Sequence, residues 1–229
     1  MGLRKARGKM PSYFVLHIEL AKTPTVVYDF CHALIHIGPK FKSGFGGFEN
    51  DSFEKILRWN QDKLNHNFQL GWTEHYSHNY RQMLLEFGEF SEVRLYISNL
   101  PQESTFYFCL ILPEDDFVEF GKESGKTVPH ILPERMSVIR HLAKNIWECT
   151  DALAIQTGWE CSDLPPHAVH LAEGAIPQAE PFCIIPKTKW LETYQFPYEC
   201  INRSGILIEN ADNWKKCTLL WSLTEFSEY

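Results

Sequence analysis

The chain has 229 residues, 44% hydrophobic and 22% charged, with 16 Phe, 9 Tyr and 7 Trp and a net charge of −7. That apolar and aromatic share excludes wholesale disorder, and no stretch approaches the 18 apolar residues of a membrane-spanning helix. Setting aside the four cations of Arg4-Lys5-Ala6-Arg7-Gly8-Lys9 leaves 18 Lys and Arg against 29 Asp and Glu. A body at −11 repels nucleic acid and anionic membrane and attracts basic partners.

Residues 1–11 read as a basic, disordered tail, and 12–229 as one α+β domain. No long apolar segment follows the tail's charges, so no signal peptide is expected. Phe14, Leu16, Ile18 and Leu20 alternate with Val15, His17 and Glu19, which predicts a half-buried strand. Thr23-Pro24 opens a helix whose apolar face carries Val26, Val27, Phe30, Cys31, Leu34 and Ile35, and Gly38-Pro39 ends it. The glycine-rich stretch Ser43-Gly44-Phe45-Gly46-Gly47-Phe48 reads as a mobile turn, with Phe45 and Phe48 available to a partner. A second helix is predicted over Ser52 to Asn65, with Asp51 and Glu54 at capping-box spacing.

Gln82–Phe87, Glu92–Ser98 and Thr105–Leu112 read as three antiparallel strands with short connections. The last is apolar on both faces, which predicts a central strand covered on both sides. Pro133-Glu134 opens the strongest helix, which runs to about Thr150 with Ile139, Leu142, Ala143, Ile146 and Trp147 on one face. Ala152–Gly158, Phe182–Ile185 and Gly205–Glu209 follow as strands, and Pro165 to Pro181 as loop. The expected fold is a mainly antiparallel sheet with three or more helices packed on it.

The seven cysteines are odd in number and widely spaced, without a C-x-x-C pair. Such a pattern predicts reduced, buried thiols in a cytoplasmic protein. Gly121-Lys122-Glu123-Ser124-Gly125-Lys126-Thr127 is one residue short of a phosphate-binding loop, and Pro129 and Pro133 forbid the helix that such a loop must open. Ser43 to Gly47 follows a helix rather than a strand, so it fails as a dinucleotide loop. His32 and His36 have metal-ligand spacing on a helix but lie opposite its apolar face. His75-Tyr76-Ser77-His78 and His167-Ala168-Val169-His170 are further isolated pairs. No cofactor and no metal site are expected, and no Gly-x-Ser-x-Gly nucleophile motif occurs.

The most suggestive segment is where the apolar strand Phe106 to Leu112 meets Pro113-Glu114-Asp115-Asp116-Phe117-Val118-Glu119-Phe120. Proline lacks the N–H that a ladder needs, so the acidic group falls at a sheet rim. Carboxylates interleaved with aromatics suit a basic protein surface. Glu114, Asp115, Asp116 and Glu119 are the candidate contacts, with Phe117 or Phe120 as apolar anchor.

An acidic α+β domain of this kind, rich in aromatics and without catalytic motifs, resembles the broad class of bacterial polymorphic-toxin immunity proteins. The resemblance is one of general character over most of the chain. It implies a non-catalytic cytoplasmic protein that neutralises a toxin domain by binding it. Two other readings stay open: a metal-dependent hydrolase using His and Asp side chains, and a small-molecule sensor with a pocket lined by aromatics of the sheet.

Overall fold

The fold is built around one antiparallel sheet of nine strands, seen in a computed structural model that describes residues 12–71, 81–123, 126–159, 164–188 and 197–210. Its strands are β1 (Tyr13–Ala21), β2 (Lys40–Phe45), β3 (Gln82–Glu86), β4 (Val93–Ser98), β5 (Thr105–Pro113), β8 (Ala154–Trp159), β9 (Phe182–Pro186), β10 (Tyr198–Ile201) and β11 (Gly205–Glu209). They lie in the order β10-β11-β9-β8-β1-β5-β4-β3-β2. β6 (Val118–Glu123) and β7 (Lys126–Ile131) form a separate hairpin. The predicted α+β class and antiparallel sheet are therefore present.

Strand alternation sends two sets of side chains to opposite faces. Phe14, Leu16, Ile18 and Leu20 of β1 share a face with Phe106, Phe108, Leu110 and Leu112 of β5. This face meets helices α1 (Val26–His36), α2 (Phe53–Asn65) and α3 (Pro133–Cys149). Phe30 of α1 stacks on Phe108 at 4.2 Å, and Ile56 and Leu57 of α2 and Ile139, Leu142 and Ile146 of α3 fill the same layer. The opposite face carries Val15, Tyr107, Cys109 and Ile111. Farther along, Leu171 of the short helix α4 (Ala168–Ala172) packs there with Ala154, Cys183, Ile185, Ile206 and Ile208. Thus β5 is buried on both sides, as its continuous apolar run requires.

Several local expectations are corrected. Ser43, Gly44 and Phe45 belong to the edge strand β2, which pairs with β3. The glycines serve the turn beyond it. A Cβ on Gly44 would stand 2.0 Å from the Phe48 carbonyl oxygen, and Gly46 and Gly47 have positive φ. Helix α2 is capped by Ser52, whose Oγ accepts from the Lys55 N–H at 3.3 Å. Asp51 instead pairs with Lys55 and Arg81. Gly121 to Glu123 and Lys126 to Val128 pair with one another as strands of the β6–β7 hairpin. The predicted loop Pro165 to Pro181 contains α4, and the edge strand β10 was not legible at all.

The C-terminal part of α3 is fastened to the β10–β11 hairpin. The Trp147 indole donates to the Asn202 carbonyl at 2.9 Å, and Lys144 holds Glu199 at 2.9 Å. The indole is so close to β11 that a Cβ on Gly205 would stand 2.5 Å from its Nε1. Gly205→Ala should therefore cost about 1–3 kcal/mol by overpacking, measurable by urea unfolding. An unchanged midpoint would mean that the indole moves freely.

Candidate functional site

Register brings three segments to one end of the sheet. Lys40 lies opposite Glu86, Arg94 opposite Ile111 and Tyr13 opposite Pro113. The start of β2, the β3–β4 turn and the end of β5 therefore share a rim. After Pro113 the chain makes a single 3-10 turn, Glu114–Asp116, anchored by the Glu114 N–H on the Ser12 carbonyl at 2.9 Å. The Leu132 N–H donates to the Phe117 carbonyl at 2.9 Å, so α3 begins at the same rim.

The candidate residues separate sharply here. Phe117 is fully buried, its ring 5.0 Å from Phe14 and 5.6 Å from Phe90. It is a core residue and cannot act as a surface anchor in this conformation. Glu114 is also buried, which removes it from the exposed contact set. Asp116 is half-buried, and its Oδ2 accepts from the Ser91 N–H at 2.9 Å and the Ser91 Oγ at 3.0 Å. Its carboxylate ties the β3–β4 turn to the 3-10 turn. Asp115 and Glu119 are exposed. The side chain of Phe120 lies outside the described ones.

The fold adds carboxylates that the linear sequence kept apart. Glu86, Glu89 and Glu134 are exposed at the same rim, and Glu92 is half-buried. The cations among them are Lys40, Arg94 and Arg135. Arg135 pairs with Glu89 at 2.9 Å and sits over the Phe90 ring at 5.7 Å. Arg94 pairs with Glu92 at 2.8 Å and lies over Tyr13 and Phe45, 4.4 and 4.7 Å from their centroids. Both guanidiniums are thus engaged with the scaffold, and Asp115, Glu119, Glu86 and Glu134 face solvent. Phe45 takes part as the platform under Arg94. Phe48 is half-buried and takes the equivalent place under Arg81, 4.8 Å from its guanidinium.

A different polar cluster occupies the sheet face opposite α1 to α3. Glu19 is completely buried. Its Oε1 accepts from Thr105 Oγ1 at 2.7 Å and lies 3.0 Å from His167 Nδ1, while its Oε2 accepts from the Ala168 N–H at 2.7 Å. The Tyr107 ring packs on His167 at 4.8 Å, and its hydroxyl donates to the Pro165 carbonyl. Glu19 thereby clamps the strap before α4 onto the sheet. The bond to Glu19 raises the His167 pKa against the opposing effect of burial. Its contribution to stability is complete below the ordinary histidine value and fades as pH rises through the folded-state value.

His17, buried on the same face, lies 3.6 Å from Cys109 Sγ, and burial lowers its pKa to about 4. Here the sign is opposite: between pH 6.5 and pH 4 the unfolded chain takes up a proton that the folded chain refuses. About 3 kcal/mol of stability should be lost over that window. Urea unfolding at pH 7 and pH 4 measures it. His17→Leu should remove most of the difference, and an equal loss in both proteins would assign the acid sensitivity elsewhere.

His170 lies beside the Glu19 cluster, its ring 6.4 Å from that of His167, whereas His32 and His36 stand apart from it. His32 is exposed, 3.7 Å from Glu54, and His36 is exposed at the end of α1. His75 and His78 lie outside the described residues, as do Cys161, Cys217, Trp190 and the basic tail. Among the described residues no three His, Cys, Asp or Glu side chains are placed to hold a metal ion. Likewise no described helix is long and apolar enough to cross a membrane. Cys31, Cys109 and Cys183 are free and buried, and Cys149 and Cys200 free and exposed.

Comparison with protein families, curated proteins and solved structures finds no match to this chain.

Proposed function

We propose that this chain is a protein-binding domain that recognises a basic macromolecular partner, in the manner of an immunity protein occluding a toxin. The supporting observation is the convergence of carboxylates from the β3–β4 turn, the β5–β6 junction and the start of α3 on one braced rim. Asp116 locks two of these segments together, and Leu132 joins the third through Phe117. Fixed negative charge of this kind accelerates encounter with a positive surface and selects against acidic partners. The contact set is Asp115, Glu119, Glu86 and Glu134, with Asp116 as a brace. Free thiols accord with a reducing, cytoplasmic setting.

Asp115→Lys combined with Glu119→Lys tests this reading. Both side chains are exposed, so stability should change by less than about 0.5 kcal/mol. Partners captured from the native host by the wild-type chain should associate with the double variant about tenfold more slowly at low salt, and with a weaker dependence on ionic strength. Association rates that are equal for both proteins, and flat with salt, would overturn the proposal.

A further inference from the structure

An open groove of about 560 Å³ lies beside α3, and it begins at the acidic rim. Glu134, Val138, His141 and Asn145 line it at helical spacings of four, three and four, so it follows one stripe of the helix. Eleven helical steps give it a length of about 16 Å. Ile37, Phe87, Ser137 and Leu142 complete its lining. Val138, 42% exposed, is the apolar side chain that α3 presents to the open side of the groove.

Charge is unevenly distributed along the groove. Glu134 stands at its mouth, with Glu86 next to Phe87 and Glu89, paired with Arg135, close by. The far end is marked by the neutral amide of Asn145. An apolar trough with negative charge at one end complements a short segment that carries apolar side chains and a lysine or arginine.

Building on the proposed function, we infer that this groove receives an extended arm of the basic partner. Its apolar side chains seat on Ile37, Phe87 and Val138, and a cationic side chain beside them reaches Glu134. Five extended residues span about 17 Å, which matches the groove, and alternation points every second side chain the same way. An alternating sequence would thus place its apolar residues in the trough, with its other side chains outward and the cation at the segment's rim end within reach of Glu134.

Two synthetic probes of equal charge separate this inference from the broader one. Fluorescein-labelled Lys-Leu-Lys-Leu-Lys and Lys-Ser-Lys-Ser-Lys are titrated against the wild-type chain, Val138→Asp and the Asp115→Lys, Glu119→Lys double variant, with anisotropy as readout. The leucine probe should bind the wild-type chain about tenfold more tightly than the serine probe, because two leucines leave water. Val138→Asp should erase that advantage, and Val138→Ser, the milder change, should reduce it. The double variant should weaken both probes alike. Equal affinity of the two probes for the wild-type chain, with both weakened by the double variant, overturns the groove and leaves the acidic rim standing. An advantage for leucine that survives Val138→Asp in a folded protein overturns it as well. Failure of both probes to bind overturns the groove and the rim together.

Discussion

Phe117→Ala should lower the unfolding free energy by about 3–5 kcal/mol, among the largest losses that one side chain in this chain can produce. The ring is fully buried and touches Phe14, Phe90 and Trp159, the last edge-on at 6.3 Å. These partners come from β1, the β3–β4 turn and β8, so the cavity would open where three separate segments meet. Phe90 also carries Arg135, and therefore Glu89, so the rim's geometry depends on that ring. Two measurements check this. Urea unfolding gives the loss directly. Amide exchange should show faster opening at Ser91, where the bond to Asp116 depends on both turns staying in place. A loss below about 1 kcal/mol would place Phe117 at the surface, where it could again be considered a partner contact.

Glu19→Leu should cost about 3–5 kcal/mol, for a different reason. The carboxylate accepts from a hydroxyl, an imidazole and a backbone amide, and removing one member of a buried polar set strands the others away from water. Leucine fills the space but accepts nothing. Thr105 is half-buried and can turn to solvent, whereas the Ala168 N–H sits at the first turn of α4 and has no substitute within the helix. The strap from Pro165 to Leu171 should loosen, with Ala168 and Leu171 exchanging their amide protons faster while Phe108 and Leu110 keep their relative protection. Glu19→Gln retains one acceptor and should fall between the two. A cost below about 1 kcal/mol, with the strap's protection intact, would show that Leu171 and its apolar neighbours hold it unaided. This cluster is also where an imidazole and a buried carboxylate meet most closely, as a hydrolase would require. Two of the three described bonds to Glu19 hold the strap and the third ties the carboxylate to Thr105 of β5, which favours the fastening role.

The sheet was largely legible in the sequence because its strongest strands have unambiguous patterns. Tyr13 to Ala21 alternates, and Phe106 to Leu112 is apolar throughout, which only a strand covered on both faces accommodates. The three helices facing them could be read from the spacing of Phe30 and Leu34, Ile56 and Leu57, and Ile139, Leu142 and Ile146. β2 was obscured by its composition: Lys40 and Lys42 are exposed edge residues, and Gly44 is dictated by the return of Phe48 rather than by strand propensity. β10 was equally opaque, because Tyr198, Glu199 and Cys200 are all exposed and show no alternation of burial.

The candidate site was only half visible. The junction after Pro113 correctly marks a sheet rim, but a run of acidic and aromatic residues does not reveal which of them turns inward. Phe117 and Glu114 turn inward, whereas Asp115 and Glu119 turn outward. That division depends on the single 3-10 turn, whose 2.8 Å bond from the Phe117 N–H to the Glu114 carbonyl reverses the chain. Glu86, Glu89 and Glu134 were missed for a simpler reason. They lie far from Asp115 in sequence and reach it only through strand register. Glu19 was missed as well: alternation predicts a half-buried strand for Tyr13 to Ala21, yet Val15, His17 and Glu19 are buried too, Glu19 beneath the strap before α4.

The position of β1 has a consequence for biosynthesis. It is the middle strand of the sheet, paired on one side with β5 and on the other with β8. A ribosome that has released the chain only through β5 has completed half of the sheet, with Tyr13–Ala21 forming a bare margin. That margin is nine residues long, apolar apart from His17 and Glu19, and lacks the lysines that guard β2. Until Ala154–Trp159 emerges, the nascent polypeptide is open to pairing with another copy of itself, and slow translation between Thr105 and Ala154 should favour aggregates over soluble product.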